Sequence, residues 1–240
     1  MADVTAEIEA PRRVALQRVA APLREQVLEL LRNDIVEQRL RPGHRLIERE
    51  LIEQIGVSRT TIREVLRQLA AEGLVSTIPQ KGAIVAALSR EEAEDLYEVR
   101  AALEALAARR FAQRASAEQV TALRRSFTAF ERLTNGGAEI PELLRAKNAF
   151  YDVLLEGSRN APIHALLGGL RARVAMLRTT SLTQEGRPAQ ALDEIRELVE
   201  AIEASDPERA AEAAVHHVQQ AAKTGLGALA SPTEAPEAAS

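Results

Sequence analysis

The residues with the densest chemical potential are Ser58-Arg59-Thr60-Thr61-Ile62-Arg63. Two guanidiniums and three hydroxyls within six residues make a donor-rich set. Such donors suit the acceptor edges of bases and the oxygens of a phosphate backbone. Their setting supports that reading. Leu51, Ile52 and Ile55 give one apolar face to a short helix from about Glu48, and Gly56 supplies a sharp turn without a Cβ penalty. Ser58 is placed to accept the first backbone N–H groups of a second helix, along which Ile62, Val65, Leu66 and Leu69 recur at helical spacing. Arg59, Thr60, Thr61 and Arg63 are left outward in the first turn and a half, where a recognition helix meets a duplex. Gly73 ends the helix. Residues 74–78 and 83–85 read as a hairpin with Pro79-Gln80-Lys81-Gly82 at its tip. The expected element is a winged helix-turn-helix. A helical pair and hairpin carrying ordinary surface arginines is the bland alternative.

Four further helices carry polar residues on faces that turn inward. Arg100 lies within a stripe of Leu96, Val99, Leu103 and Leu106. Lys147 and Tyr151 share a face with Leu143, Phe150 and Leu154. Arg171 and Arg178 flank Val174, and His217 lines up with Ala210, Ala213 and Ala214. Buried cations need counter-charge, so the set Arg100, Lys147, Tyr151, Arg171, Arg178 and His217 predicts a bound small anion, a carboxylate or phosphate ester. Each residue also has an ordinary reading. Arg100 can pair with Glu104 one turn on, the long cations can snorkel to solvent, and His217 can simply pack. Catalysis is poorly supported, since there is no Cys, no GxxxxGK[ST] loop and no HExxH.

The elements that must hold these groups follow from the rest of the chain. Its 240 residues allow one large or two ordinary domains, and an apolar share of 46% fits a globular protein. Aromatics are only 2%, which argues against base stacking as a binding mode. The net charge of -4 divides unevenly: residues 11–82 carry 13 basic against 9 acidic side chains, and residues 87–240 carry 18 against 23. The excess of positive charge lies where phosphate would be met. With no Cys, no secretion signal and no run of 18 apolar residues, the expectation is a cytoplasmic protein without membrane contact.

Residues 1–20 are expected to be a flexible arm and residues 21–87 a winged domain whose first helix runs from Pro22 to near Leu40, with Leu23, Val27, Leu30, Leu31 and Ile35 on one face. Residues 88–226 are expected to form an all-α antiparallel bundle. Its six helices fall at about 89–114, 116–134, 139–156, 160–182, 188–204 and 206–224, with capping signals at Ser89/Glu92, Ser116/Gln119 and Asp206-Pro207. The tail 227–240 is expected to be disordered.

Residues 40–86, LRPGHRLIERELIEQIGVSRTTIREVLRQLAAEGLVSTIPQKGAIVA, resemble the DNA-binding domain of the GntR family of bacterial transcription regulators. LYEVRAALEALAA, NAPIHALL and SDPERAAEAAVHHV resemble the FCD ligand-binding domain, and six helices resemble its shorter, VanR-like branch. The resemblance implies operator contacts at Arg49, Arg59, Thr60, Thr61, Arg63, Lys81 and Gly82. It also implies a homodimer on a pseudo-palindromic double-stranded operator, with a small organic or sugar acid as effector and repression as the expected mode. Many FCD domains hold a metal at positions that correspond here to Lys147, Tyr151, Ile195 and His217. Three of those four are not the family's ligands, so no metal cofactor is expected, and the anion is expected to be held directly by Arg100, Lys147, Tyr151 and neighbouring arginines. The competing readings are a small-molecule-binding or enzymatic bundle with the winged unit as a protein-interaction module, and a structural DNA binder without effector.

Overall fold

The structure, a computed structural model, describes residues 21–79 and 82–230. The first unit comprises α1 (Ala21–Val36), β1 (Arg45–Leu46), α2 (Glu48–Ile55), α3 (Arg59–Ala71), β2 (Val75–Ile78) and β3 (Gly82–Val85). Local chemistry accounts for the turn between α2 and α3. Gly56 closes α2 in the left-handed region at φ 75°, its N–H bonded to the carbonyl of Ile52. Ser58 then caps α3, its hydroxyl accepting from the backbone N–H of Thr61 at 3.1 Å. Ile62, Val65, Leu66 and Leu69 are buried beneath α3, as their spacing predicts.

Two details depart from the sequence reading. The wing is a three-stranded antiparallel sheet in the order β1-β3-β2, with Arg45 opposite Ile84 and Thr77 opposite Ala83. A two-residue strand leaves no periodicity to read. Helix α1 stops at Val36 rather than near Leu40, and Gln38 sits at φ 60° in the turn that follows. It buries Val27, Leu28, Leu31, Ile35 and Val36, while Leu23 and Leu30 stay exposed. The run Val27-Leu28-Glu29-Leu30-Leu31 holds more apolar residues than one helical stripe can cover.

The second unit is six helices: α4 (Arg90–Arg114), α5 (Ala117–Asn135), α6 (Ile140–Gly157), α7 (Ala161–Leu182), α8 (Arg187–Glu203) and α9 (Pro207–Ala230). Both capping boxes form, and Asp206 accepts from the backbone N–H of Arg209. Residues 227–230, placed in the tail by the sequence reading, continue α9; residues 1–20 and 231–240 lie outside the described residues. Phe111, Phe127, Phe130, Phe150, Ile195 and Leu198 anchor the bundle core. On α7, Ala172, Ala175 and Met176 pack into the same apolar cluster as Val27, Leu31, Val65 and Leu69 of the first unit. Helix α7 is thus part of both cores. Among the described residues no helix is long and apolar enough to cross a membrane.

Candidate functional site

At the start of α3, Arg59, Thr60 and Arg63 are exposed, as is Arg49 on α2. Thr61 is half-buried and its hydroxyl lies 2.9 Å from that of Ser58, so part of its bonding capacity serves the cap. Gly82 opens β3 at φ 80°, exposed, in a conformation that disfavours any side chain. Lys81 lies outside the described residues. Between α3 and the sheet runs a groove of about 450 Å³ lined by Glu48, Arg63, Leu66, Arg67, Thr77 and Gly82. Arg67, which the sequence reading passed over, stands one turn beyond Arg63 on the same helix face. That i, i+4 spacing was the available signal.

The second cluster is internal. Arg100, Glu104, Lys147, Arg187 and His217 are essentially inaccessible, and Arg178 and Tyr151 nearly so. One oxygen of Glu104 accepts from Arg100 Nε at 3.1 Å and lies 3.4 Å from Arg178 Nη2. Arg178 also donates to Asn148 at 2.7 Å, and its guanidinium lies 3.9 Å from the ring centroid of Tyr151. On the other side Arg187 donates two bonds of 2.8 Å to Glu194, whose carboxylate is 2.6 Å from His217 Nδ1. Both terminal nitrogens of Arg100, Nε2 of His217 and one oxygen of Glu104 are buried with no hydrogen-bond partner among the described residues. Lys147 has no hydrogen bond or ion pair among them either.

These positions set the protonation states. Burial opposes ionisation of Glu104, but Arg100 and Arg178 outweigh it and hold its carboxyl below the usual range. Burial, reinforced by Arg187, Arg178 and Arg100, pushes the Lys147 ammonium well below the ordinary lysine value. Burial and then the cations, Lys147 foremost, push His217 well down as well. A neutral imidazole beside the Glu194 carboxylate donates from Nδ1–H, which leaves Nε2 as an acceptor. Burial, with Glu104 nearby, raises the Tyr151 hydroxyl far above its usual range.

Of the six residues singled out in the sequence, Arg100, Lys147, Tyr151, Arg178 and His217 are buried. Arg171 is not among them: it is 61% exposed and bonds Asp152 at 2.9 Å. Both sit at the mouth of a cavity of about 50 Å³ that Glu104, Asn148, Tyr151 and Arg178 also line. Val99, assigned to the inward stripe, is 43% exposed, and Tyr97 and Glu104 take the inward positions on α4. The four positions where many FCD domains hold a metal do not fit one here. Ile195 offers no donor, Lys147 puts an amine where a carboxylate would stand, and Tyr151 resists ionisation, leaving His217 as the one ordinary ligand. Among the described residues no three His, Cys, Asp or Glu side chains are grouped to hold a metal ion.

Residues 23–85 match the model of bacterial regulatory proteins of the gntR family, and residues 95–220 match that of the FCD domain. A probable D-xylose utilization operon transcriptional repressor of Paenarthrobacter nicotinovorans is 31% identical over 80% of this chain and 84% of its own length. The uncharacterized HTH-type transcriptional regulator YdhC of Bacillus subtilis (strain 168) is 27% identical over 80% and 86%. Among solved structures, E. coli McbR/YncC superposes with a TM-score of 0.71 at 21% identity, covering 82% of this chain and 94% of that one, a likeness of fold alone. These relatives are named as transcription regulators, which disfavours the enzymatic reading of the bundle. With the turn, the capped recognition helix, the wing and the six-helix bundle in place, the chain belongs to the GntR family of bacterial transcription regulators, its winged helix-turn-helix followed by an FCD domain.

Proposed function

We propose that this regulator is a homodimeric repressor that a small organic anion releases from its operator. The carrying observation is the charge balance inside the bundle: Arg100, Arg178 and Arg187 face two carboxylates, Glu104 and Glu194, and the Lys147 amine lies among them. A buried cation without counter-charge is costly, so the interior is built for a partner of opposite sign. The terminal nitrogens of Arg100 form a planar donor edge that a carboxylate or phosphate matches bidentately. Lys147, Arg178, Tyr151 and His217 complete the shell, and Arg171 and Asp152 guard the mouth. Helix α7 supports the link to DNA. It carries Val174 and Arg178 at the cavity, and Ala172, Ala175 and Met176 in the core of the winged unit. An anion that re-pairs Arg178 therefore acts on the helix that seats the DNA reader.

Thermal melts against a panel of carboxylates and phosphate test the effector. An anion at 100 times its dissociation constant adds about 2.7 kcal/mol of stability, and the same anion releases DNA in a gel shift. The effect persists after chelator treatment, because the protein's own cations hold the anion. A panel without any shift, or stoichiometric zinc or nickel in protein purified without added metal, overturns this reading.

At the operator, Arg59 and Arg63 supply base-edge or phosphate bonds, Thr60 and Thr61 add short polar contacts, and Arg49, Lys81 and Gly82 hold the flanks. In a homodimer two such heads read half-sites about 34–36 Å apart. Replacing Arg59 by Ala costs roughly 1–3 kcal/mol at the operator and relaxes discrimination at one position if it reads a base. An unchanged sequence preference in a gel-shift titration removes Arg59 from that role.

A further inference from the structure

Among the described residues that line the groove between α3 and the sheet, Glu48 is the single acid. A carboxylate on a surface that meets phosphates weakens binding through like-charge repulsion, so its presence there calls for a reason. Its geometry supplies one. Both of its oxygens lie 3.0 Å from Nε of Arg63, while Nη1 and Nη2 make no other hydrogen bond among the described residues. The Nε edge of the guanidinium is thus tied down, and the fork that matches O6 and N7 of a guanine is left open.

An arginine this exposed, at 55%, has several rotatable bonds and many phosphates within its sweep. Tethered at Nε, it has far fewer orientations to lose when it meets a base. We propose that Glu48 is the positioning residue that aims Arg63 at a base edge, so that it sets sequence discrimination rather than affinity. The inference rests on the reading that Arg63 meets DNA. Arg67, also in the groove, makes no hydrogen bond to Glu48, and suits a phosphate contact that carries no sequence information.

The pair is too exposed to contribute much to the fold, and Glu50 keeps an acid in the first turn of α2. Glu48→Ala is therefore expected to melt like the parent protein. Anisotropy titrations of the full chain would use two duplexes of equal length, one selected from a randomised pool and one scrambled, over a range of salt. With Glu48→Ala the ratio of the two affinities falls about tenfold or more. The scrambled duplex is bound more tightly, and its salt slope steepens by about one as the released arginine takes a phosphate. Glu48→Gln moves the same way by less, since an amide oxygen still accepts from Nε. In an Arg63→Lys background, where no fork remains to aim, Glu48→Ala leaves the ratio unchanged.

Equal tightening on both duplexes would show Glu48 to be only a misplaced charge. A fall in the ratio that persists in the Arg63→Lys background would assign its effect to the placement of α2. Either outcome overturns the proposal. Arg63→Ala with unaltered binding would instead overturn the underlying assignment of Arg63 to DNA.

Discussion

Replacing Glu104 with Leu lowers the stability of the ligand-free protein by about 3–5 kcal/mol, the range for removing one partner from a buried ion pair. One oxygen of Glu104 faces Nε of Arg100 at 3.1 Å and Nη2 of Arg178 at 3.4 Å, and both guanidiniums are enclosed. Arginine cannot shed its proton at neutral pH. Without Glu104 the two cations keep their charge in an interior already short of anions. Leu fits the space, so a lost packing contact does not account for the fall. For a chain of this length the midpoint of thermal unfolding drops by roughly 6–20 °C. Glu104→Gln retains an acceptor and loses only the charge.

The pH dependence carries a sign. The folded carboxyl is held below its unfolded value, so its contribution is complete above about pH 4.3 and is lost as pH falls through the folded value. The Gln variant lacks that acid limb. Urea denaturation at pH 7 and pH 4 reads both effects. A loss below about 1 kcal/mol would mean that Arg100 and Arg178 reach water, contrary to their burial.

What the sequence reveals of this site depends on how local each signal is. Gly56, Ser58 and the apolar spacing from Ile62 to Leu69 act within one turn and its two helices, so the DNA-reading unit is legible residue by residue. Lys147, Tyr151 and His217 stand out for a related reason, since a polar group on an otherwise apolar helix face is visible within a single helix. Glu104 is harder to see. At i+4 from Arg100 it has the spacing of a surface pair, and only the packing of α7 with Arg178 against α4 places it at the centre. Arg187 directly follows a loop glycine, where exposure is the ordinary expectation, and its partner Glu194 meets His217 across two helices. No spacing encodes that meeting. Arg171 fails for the converse reason: a charged partner from α6, Asp152, holds it at the rim.

Replacing Lys147 with Met is expected to act in opposite directions on stability and on anion binding. Lys147 is 2% exposed, with no hydrogen bond or ion pair among the described residues. Arg100 on α4, Arg178 on α7, Arg187 on α8 and His217 on α9 share its surroundings, with Glu104 the opposing charge. Burial and the three arginines depress its folded value, so between that value and the ordinary lysine value of about 10.4 the unfolded chain binds more protons than the folded one. Stability from this group therefore rises with pH across the window and is diminished at pH 7. Methionine has similar length and no charge, fits the same space and deletes the term. The variant is thus more stable than the parent at neutral pH and its profile is flatter up to about pH 10.

A bound anion favours the ammonium and draws the Lys147 value back up towards the ordinary one. Anion binding to the parent protein therefore weakens as pH rises towards the ordinary lysine value, whereas binding to the variant does not. Removing a buried charged partner costs about 2–5 kcal/mol, so the anion binds the variant at least about 30-fold more weakly. Calorimetric titrations across that pH range read the dependence, and melts at pH 7 and pH 10 give the stability. General damage to packing lowers stability and affinity together. A parallel loss in both would therefore remove Lys147 from the anion shell.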